Sequence, residues 1–185
     1  MDQKTEAEIV VRILKGEKQA FAMLVDEYKN PIYNLAWRMT GNLQDAEDLS
    51  QETFIRAYQN LARYDQNKKF FTWLYTIGIN LIRNHLKKNS NPIDPLTEIN
   101  ISSASRTQEN PTAEGKLLAE ERMIKLEKSL QKLPVDLREA IVLKFYQNLT
   151  FEEVSAITGD SLSAVKMRIY RGLEKLKQLL EFDKT

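Results

Sequence analysis

The chain has 185 residues, 42% of them hydrophobic, which is enough for one packed domain or two small ones. It contains no cysteine and one histidine, which excludes disulfides, cysteine-based zinc or iron–sulfur sites and histidine-rich metal sites. The formal net charge is only +1, but the two ends are slightly basic and residues 91–115 are acidic, so a nucleic-acid surface is not excluded.

The first residues carry charges throughout and do not form the apolar run of a secretory signal. No stretch approaches the roughly 20 apolar residues that a membrane-spanning helix needs. We therefore expect a soluble cytoplasmic protein that does not insert into membranes and acts as a monomer.

Residues 1–40 predict three helices. The first has apolar residues at helical spacing and is stopped by Gly16. A second covers residues 19–29. Pro31 suits the first turn of a third, because proline lacks the N–H that a first-turn residue leaves unpaired.

The next helix, in residues 41–61, is acidic on one face. Asp45, Asp48 and Glu52 lie on that face, and the first base within the helix is Arg56. The apolar stripe lies on another side and consists of Ala46, Leu49, Thr53, Ala57 and Leu61. A metal or acid–base site is disfavoured, because no histidine, nucleophile or phosphate-binding loop accompanies the carboxylates.

A further helix follows the break at YDQNKK and continues to Lys88. One face is apolar, and the other mixes an aromatic ring, amides and bases, which suits single-stranded DNA because rings stack on bases and cations hold phosphates. The residues of that face are Trp73, Thr76, Asn80, Arg83, Asn84 and Lys87, with Phe70 and Phe71 in the loop before it. Aromatic residues at helical spacing are often core residues instead. Phe71, Trp73 and Tyr75 alternate too closely to share one core face.

Helical patterning stops between Asn89 and about Thr112, where three prolines and many small polar residues occur. A segment of this length does not fit easily inside one compact domain. Helical patterning then resumes and continues to the end. The sequence therefore predicts an all-α protein with two small helical domains, residues 1–90 and 113–185, joined by a flexible acidic linker at 91–112.

The last forty residues predict a helix-turn-helix. Thr150 and Glu153 form a capping box, Gly159 permits the tight turn, and Ser161 or Ser163 can cap the second helix. The stripe Val165, Ile169, Leu173, Leu176 and Leu180 is predicted to be buried, which leaves Lys166, Met167, Tyr170 and Arg171 on another face. In such motifs the second helix offers its N-terminal residues to base edges. An ordinary helical hairpin is the alternative, but spacing, cap, glycine and basic face all agree with the DNA-binding motif.

Together these pieces resemble the extracytoplasmic-function group of the bacterial sigma-70 family, small two-domain initiation factors of RNA polymerase. The stretches that carry the resemblance are DAEDLSQETFIRAY, FFTWLYTIGINLIRNHLKK, LPVDLREAIVLKFYQNLTFEEVSAITG and SAVKMRIYRGLEKLK. Their order and spacing also match, and so does the linker. The resemblance covers nearly the whole chain.

The resemblance implies a factor that binds core RNA polymerase, brings it to promoters by reading the −35 and −10 elements, and promotes melting. The acidic helix would dock on the clamp helices of the largest subunit, and the C-terminal domain would sit on the flap of the second-largest subunit. The linker would run toward the RNA exit path, and an anti-sigma factor is a further expected partner. The polymerase contacts implied are Asp45, Asp48, Gln51, Glu52 and Phe54.

The resemblance also assigns DNA contacts. For capture and melting of the −10 element, in which a base is flipped out of the stack, they are Lys68, Phe70, Phe71, Trp73, Asn80, Arg83, Asn84 and Lys87. For the −35 element they are Ser163, Lys166, Met167, Arg168, Tyr170, Arg171 and Lys175. No cofactor, metal or catalytic residue is implied, and the chain is not expected to be an enzyme by itself.

Two positions depart from the family pattern. Ala164 stands where the family usually has threonine, which puts one phosphate or cap contact in question. Met167 stands where a small polar residue is usual, which puts the −35 preference in question.

Two other function classes remain. A conventional helix-turn-helix regulator that acts without core polymerase would bind duplex DNA alone, but it gives no reason for the acidic helix or the aromatic–amide face. A helical protein-interaction module leaves the basic recognition helix unexplained. Promoter-specific run-off transcription with core polymerase separates these classes, because only a sigma factor is expected to produce transcripts.

Overall fold

The structure, a computed structural model, describes residues 1–89 and 113–182. Within these two ranges the chain forms eight α-helices and no strand, which confirms the all-α prediction. The predicted linker at 91–112 lies outside the described residues. The helices are α1 (Gln3–Leu14), α2 (Phe21–Thr40), α3 (Leu43–Asn60), α4 (Phe70–Lys88), α5 (Ala113–Gln131), α6 (Val135–Ile141), α7 (Phe151–Thr158) and α8 (Leu162–Phe182).

Helices α1 to α4 form the N-terminal half. α2, α3 and α4 pack on one another, and α1 lies against α2 and α4. The predicted stripe of α3 is buried as expected, with Ala46 and Ala57 fully enclosed and Thr53 donating its hydroxyl to the Leu49 carbonyl at 2.7 Å. Asn42 caps α3 by accepting a hydrogen bond from the Asp45 N–H.

Helix α2 runs unbroken from Phe21 to Thr40 with Pro31 inside it, so the prediction of two helices meeting at Pro31 is wrong. An interior proline costs a helix one hydrogen bond and clashes with the preceding turn. Leu24 before it and Ile32 after it are both buried in the same core, and this packing holds the helix together. The Pro31 carbonyl also accepts a hydrogen bond from Gln147 Nε2 at 3.3 Å.

The C-terminal half contains the predicted helix-turn-helix. The capping box of Thr150 and Glu153 is present at the start of α7, and Gly159 adopts the left-handed conformation, with φ 76°, between α7 and α8. Ser161 rather than Ser163 caps α8, because its hydroxyl accepts a hydrogen bond from the Ala164 N–H. These local signals were read correctly from the sequence.

One position of the predicted α8 stripe is wrong. Leu173 is 43% exposed, whereas Val165 and Ile169 are buried as predicted. The neighbouring Gly172 lies toward the core instead, and a Cβ added there would come within 2.9 Å of Ile141 Cγ1. The close approach of α6 and α8 therefore uses a glycine, and the bulkier leucine is turned outward.

The two halves pack against each other, with α2 against α5 and α4 against α7. Arg38 of α2 is buried in this contact, where its Nε lies 3.3 Å from Glu127 Oε1 and its guanidinium lies 4.2 Å from the centre of the Tyr146 ring. Burial raises the pKa of Glu127, and Arg38 partly opposes this. Removing both charges of an ion pair from water is costly, and their attraction offsets this cost only when the geometry of the pair is good.

A second buried arginine enters from the C-terminal half. Arg138 donates hydrogen bonds to the carbonyls of Met39 at the end of α2 and of Leu133 in its own half. Burial lowers the pKa of Arg138 to about 10, which still leaves it cationic at neutral pH. Gln131 Nε2 donates to the Arg38 carbonyl at 2.8 Å, so two carbonyls in the last turn of α2, where a helix leaves its carbonyls without an intrahelical partner, are satisfied by the other half.

Candidate nucleic-acid and partner interfaces

The exposed acidic face of α3 is smaller than predicted. Asp48 and Gln51 are exposed and Glu52 is partly exposed. Gln44 Nε2 donates to Asp48 at 3.3 Å, and Arg56 Nε donates to Glu52 at 2.6 Å. Neither carboxylate is tied to another helix, so both are available to a basic partner.

Two residues assigned to this face lie elsewhere. Asp45 turns toward α4, where its carboxylate lies 3.1 Å from His85 Nε2. Phe54 is only 8% exposed and belongs to the core, so it supports the face from beneath. Ile55, by contrast, is 50% exposed next to Glu52, and sequence reasoning missed it. An apolar side chain with acids around it is typical of the centre of a protein interface.

Trp73 on α4 is both a core-packing and a surface residue. Its ring is half-buried, with its centre 5.2 Å from that of Tyr64 and 5.6 Å from that of Phe70. One side of the indole therefore packs on the core, and burial raises the pKa of the Tyr64 hydroxyl beneath it to about 12. Asn80 and Asn84 follow on the same helix and are exposed.

The assignment of Phe70 to DNA contact is corrected by its position. Phe70 begins α4 rather than lying in a loop, and it is fully buried. Phe71 is half-buried, and its ring faces Tyr75 at 6.1 Å. Phe70 therefore acts as the base on which Trp73 rests. Lys68, in the preceding loop, is exposed, and so is Lys87 near the end of α4.

A cavity of about 330 Å³ opens between the end of α3 and α4. Trp73, Asn80 and Asn84 line it together with three residues that the sequence interpretation did not assign: Arg56, Asn60 and Arg63. The missed signal was their spacing, because residues four and three apart share one helix face. The result is an aromatic ring, amides and guanidinium groups around one concave space, the combination that holds unstacked bases and their phosphates.

Arg83, predicted to face DNA, points away from this cavity. Its guanidinium donates to both carboxylate oxygens of Glu139 on α6, at 2.7 and 2.6 Å, and to the Thr158 carbonyl at 3.4 Å. The hydrogen bond with Glu139 raises the pKa of Arg83. The structure therefore separates Arg83 from Trp73, Asn80 and Asn84.

The second helix of the helix-turn-helix exposes its predicted reading face. Tyr170 is 77% exposed and Met167 is 53% exposed. Lys166 and Arg171 beside them are also exposed, as are Ser163 and Lys175. Lys166 Nζ lies 5.6 Å from the Phe151 ring centre. Arg168 differs, because it pairs with Asp160.

These surfaces belong to a chain with identifiable relatives. Residues 24–91 match the family described as Sigma-70 region 2, and residues 123–176 match Sigma-70, region 4. Within the described residues, no helix combines the length and apolarity that crossing a membrane requires.

Similar proteins cover nearly the whole chain. It is 38% identical to the ECF RNA polymerase sigma factor SigW of Bacillus subtilis over 92% of this chain and 94% of that protein. It is 32% identical to the ECF RNA polymerase sigma-E factor of Escherichia coli K12 over 95% of this chain and 94% of that protein. Identity to the RNA polymerase sigma-H factor of Pseudomonas aeruginosa is 30% over 98% and 96%.

Two solved structures share the fold. CnrH, solved in complex with the cytosolic domain of CnrY, superposes with a TM-score of 0.73 at 25% identity and covers 98% of this chain and 99% of its own. The sigma factor RpoE of Bartonella quintana, solved with the anti-sigma factor NepR, superposes with a TM-score of 0.66 at 22% identity over 88% of this chain and 98% of its own. The chain belongs to the extracytoplasmic-function group of sigma-70 factors, as its two sigma-70 regions and its relatives over nearly the whole length show.

Proposed function

We propose that the protein is a transcription initiation factor that binds core RNA polymerase through α3, opens and holds the −10 element at α4, and reads the −35 element with α8. The observation that carries this proposal is the presence of two different DNA-type surfaces in one chain. The cavity between α3 and α4 suits unstacked bases, whereas the exposed face of α8 suits a duplex groove. A regulator that binds only duplex DNA needs the second surface alone.

The polymerase contact is assigned to Asp48, Gln51 and Glu52 with Ile55 among them. Carboxylates at the rim of an interface orient a basic partner and speed encounter, and an apolar centre contributes affinity. The clamp helices of the largest subunit are the proposed partner here, and the flap of the second-largest subunit is the partner proposed for the C-terminal half. An anti-sigma factor is proposed as a regulator.

The decisive experiment is run-off transcription with purified core polymerase on a library of promoter fragments. Transcripts that start at defined positions and require this protein support the proposal. A regulator acting without polymerase would shift duplex DNA by itself and give no transcript with core enzyme.

The α3 contact is tested by the double variant Asp48→Arg with Glu52→Arg. Both side chains lie outside the core, so folding should be little changed, while reversed charge at the contact should abolish binding to core polymerase. Glu8→Arg with Asp26→Arg is the matched control, because it makes the same change in charge at two exposed acids that lie on α1 and α2 and not on α3. Equal capture of core polymerase by the double variant and the control would contradict the assignment.

The chain is proposed to act in the cytoplasm, with no catalytic step of its own, because phosphodiester synthesis is the work of the polymerase. It is proposed to bind as a single copy, since each surface described is formed within one chain.

A further inference from the structure

A polar cleft lies where α4 meets the C-terminal half. It brings together one arginine from each of the two proposed DNA-binding helices, Arg83 of α4 and Arg168 of α8. Three carboxylates of the C-terminal half, Asp136, Glu139 and Asp160, also line it. The proposed polymerase and promoter contacts do not account for this convergence of charges.

The Arg83–Glu139 pair uses most of the hydrogen-bonding capacity of the arginine. Nε and Nη2 bond the carboxylate at 2.7 and 2.6 Å, and Nη1 bonds the Thr158 carbonyl at 3.4 Å. The Glu139 side chain is only 2% exposed. A phosphate needs the same N–H groups in the same fork geometry, so Arg83 cannot hold Glu139 and DNA together.

Two more contacts reinforce the pair across the same junction. Lys69, the N-cap residue of α4, lies with its Nζ 2.8 Å from Glu153 Oε1 of α7. The Tyr75 hydroxyl of α4 donates to Gln147 of the C-terminal half at 2.8 Å. Arg168 is held differently, by Asp160 and Asp136 of its own half, so only the α4 side of the cleft depends on contact between the halves.

We propose that Glu139 competes with promoter DNA for Arg83, so that the protein with its halves packed together is a closed form with a weakened −10 surface. The role of Arg83 at DNA rests on the proposed function; the packing of the halves does not. In the closed form the cavity with Asn80 and Asn84 stays accessible, but Arg83 and Lys69 are bound to the C-terminal half. Full engagement of the −10 strand requires α4 to separate from α6 and α7.

The cost to DNA binding follows from the population of the open form. Apparent affinity falls by the fraction of molecules that are competent. If the closed form outnumbers the open form by about ten to one, releasing it should tighten single-strand binding roughly tenfold. Weakening the Arg83–Glu139 pair without touching a DNA-contacting residue should produce this gain.

The first measurement follows the distance between the halves in the full-length chain. The native chain has no cysteine, so Gln19→Cys and Gln178→Cys, both at exposed positions, can carry a fluorescent donor and acceptor. Adding Glu139→Gln to this pair should lower the transfer efficiency, because a neutral amide holds Arg83 less well. Circular dichroism checks that the variant remains helical.

The second measurement is affinity for a fluorescent oligothymidine strand of about twelve nucleotides. Glu139→Gln should bind it roughly tenfold more tightly than the wild type. Glu152→Gln is the control for the lost negative charge, because Glu152 is exposed on neighbouring α7 and removing it should give a much smaller gain.

A covalent lock tests the same idea without removing Glu139. Lys69→Cys with Glu153→Cys places two thiols where the ion pair was, and a reducible bismaleimide can join them. The joined protein should bind the oligothymidine more weakly than the same variant capped with N-ethylmaleimide, and reduction should restore binding. Equal binding by the joined and capped proteins would overturn the proposal.

The proposal would also be overturned if Glu139→Gln and Glu152→Gln bound the oligothymidine with equal affinity and the energy transfer of Glu139→Gln were the same as that of the wild type. Failure of the wild type to support run-off transcription would overturn the proposed function instead, and the energy-transfer result would still report whether the halves are closed.

Discussion

The two proposed DNA-reading helices are built in different ways. α8 buries one stripe and leaves its reading side chains in solvent, as the 77% exposure of Tyr170 shows. α4 builds its DNA side from residues that also hold the fold, because Trp73 rests on the fully buried Phe70. The proposed duplex-reading face of α8 thus consists largely of exposed side chains, whereas the proposed strand-binding face of α4 includes side chains shared with the core.

This difference has a physical reason. A helix enters a duplex groove as a rigid body, so its exposed residues need only be long enough to reach base edges. An unstacked base must find a flat apolar surface and nearby polar groups at fixed positions. Fixing an aromatic ring in place requires packing behind it, and Tyr64 and Phe70 supply that packing.

We expect the largest effect from Phe70→Ala, which tests whether the DNA side of α4 depends on packing against the core. Phe70→Ala should destabilise the protein by about 3–5 kcal/mol, because it removes a buried ring on which Trp73, Tyr64 and Tyr28 pack. Tyr170→Ala on α8 is the matched control and should change stability by less than about 0.5 kcal/mol. Chemical denaturation measures both. Similar losses in the two variants would remove the distinction between the helices.

Trp73→Ala should affect both core packing and the proposed binding of unstacked bases. We expect intact polymerase binding, a moderate loss of stability, and promoter opening weakened roughly tenfold or more, because stacking contributes about 1–3 kcal/mol per base. A pre-melted promoter should partly rescue the variant, since the unpairing cost is already met. Equal failure on duplex and pre-melted templates would mean that Trp73 serves the core alone.

The sequence predicted those features that depend on near neighbours in the chain. The capping box at Thr150, the left-handed Gly159 and the buried stripe of α3 each involve residues a few positions apart, and all three are present. The aromatic–amide face was found for the same reason, because its members recur at helical spacing.

What the sequence missed depends on distant partners. Local spacing made Pro31 a helix start, but packing on both sides of it overrides that preference. The position of Arg83 on α4 gave no sign of its intramolecular partner Glu139, which is 56 residues away. The buried Arg38 and Arg138 likewise bind groups of the other half. No periodicity within one helix reports such contacts.

Arg171 tests whether the exposed face of α8 reads bases. Its fork suits the two acceptors of guanine, so Arg171→Ala should cost about 1–3 kcal/mol on the preferred promoter and flatten discrimination among −35 variants, with no loss of stability. Lys175→Ala is the control and should weaken all promoters alike while reducing the salt dependence. Holoenzyme affinity on a panel of −35 substitutions at two salt concentrations measures this. A uniform loss for Arg171→Ala would make it a backbone contact.

The smallest expected effect is that of changing Glu153, whose carboxylate joins α7 to Lys69 at the start of α4. Burial raises the pKa of this carboxyl, but hydrogen bonds from Lys69 and the Thr150 N–H outweigh burial and lower it below its ordinary value. A carboxyl with a lowered pKa stabilises the folded state above its unfolded pKa, near 4.3, and that stability is lost as pH falls through the folded value.

Glu153→Gln should therefore cost less than about 1 kcal/mol at pH 7, because glutamine can still accept the Thr150 N–H hydrogen bond of the capping box and only the charge interactions with Lys69 and the α7 N-terminus are lost. The difference from the wild type should shrink as pH falls below about 4. Lys69→Gln removes only the exposed ion pair and leaves the Glu153 carboxylate at the N-terminus of α7, so its cost should be smaller. Thermal unfolding of the three proteins across this pH range measures both differences. A cost for Glu153→Gln that does not change with pH would show that the carboxylate charge is not what stabilises this corner, and that the side chain acts by its shape and packing.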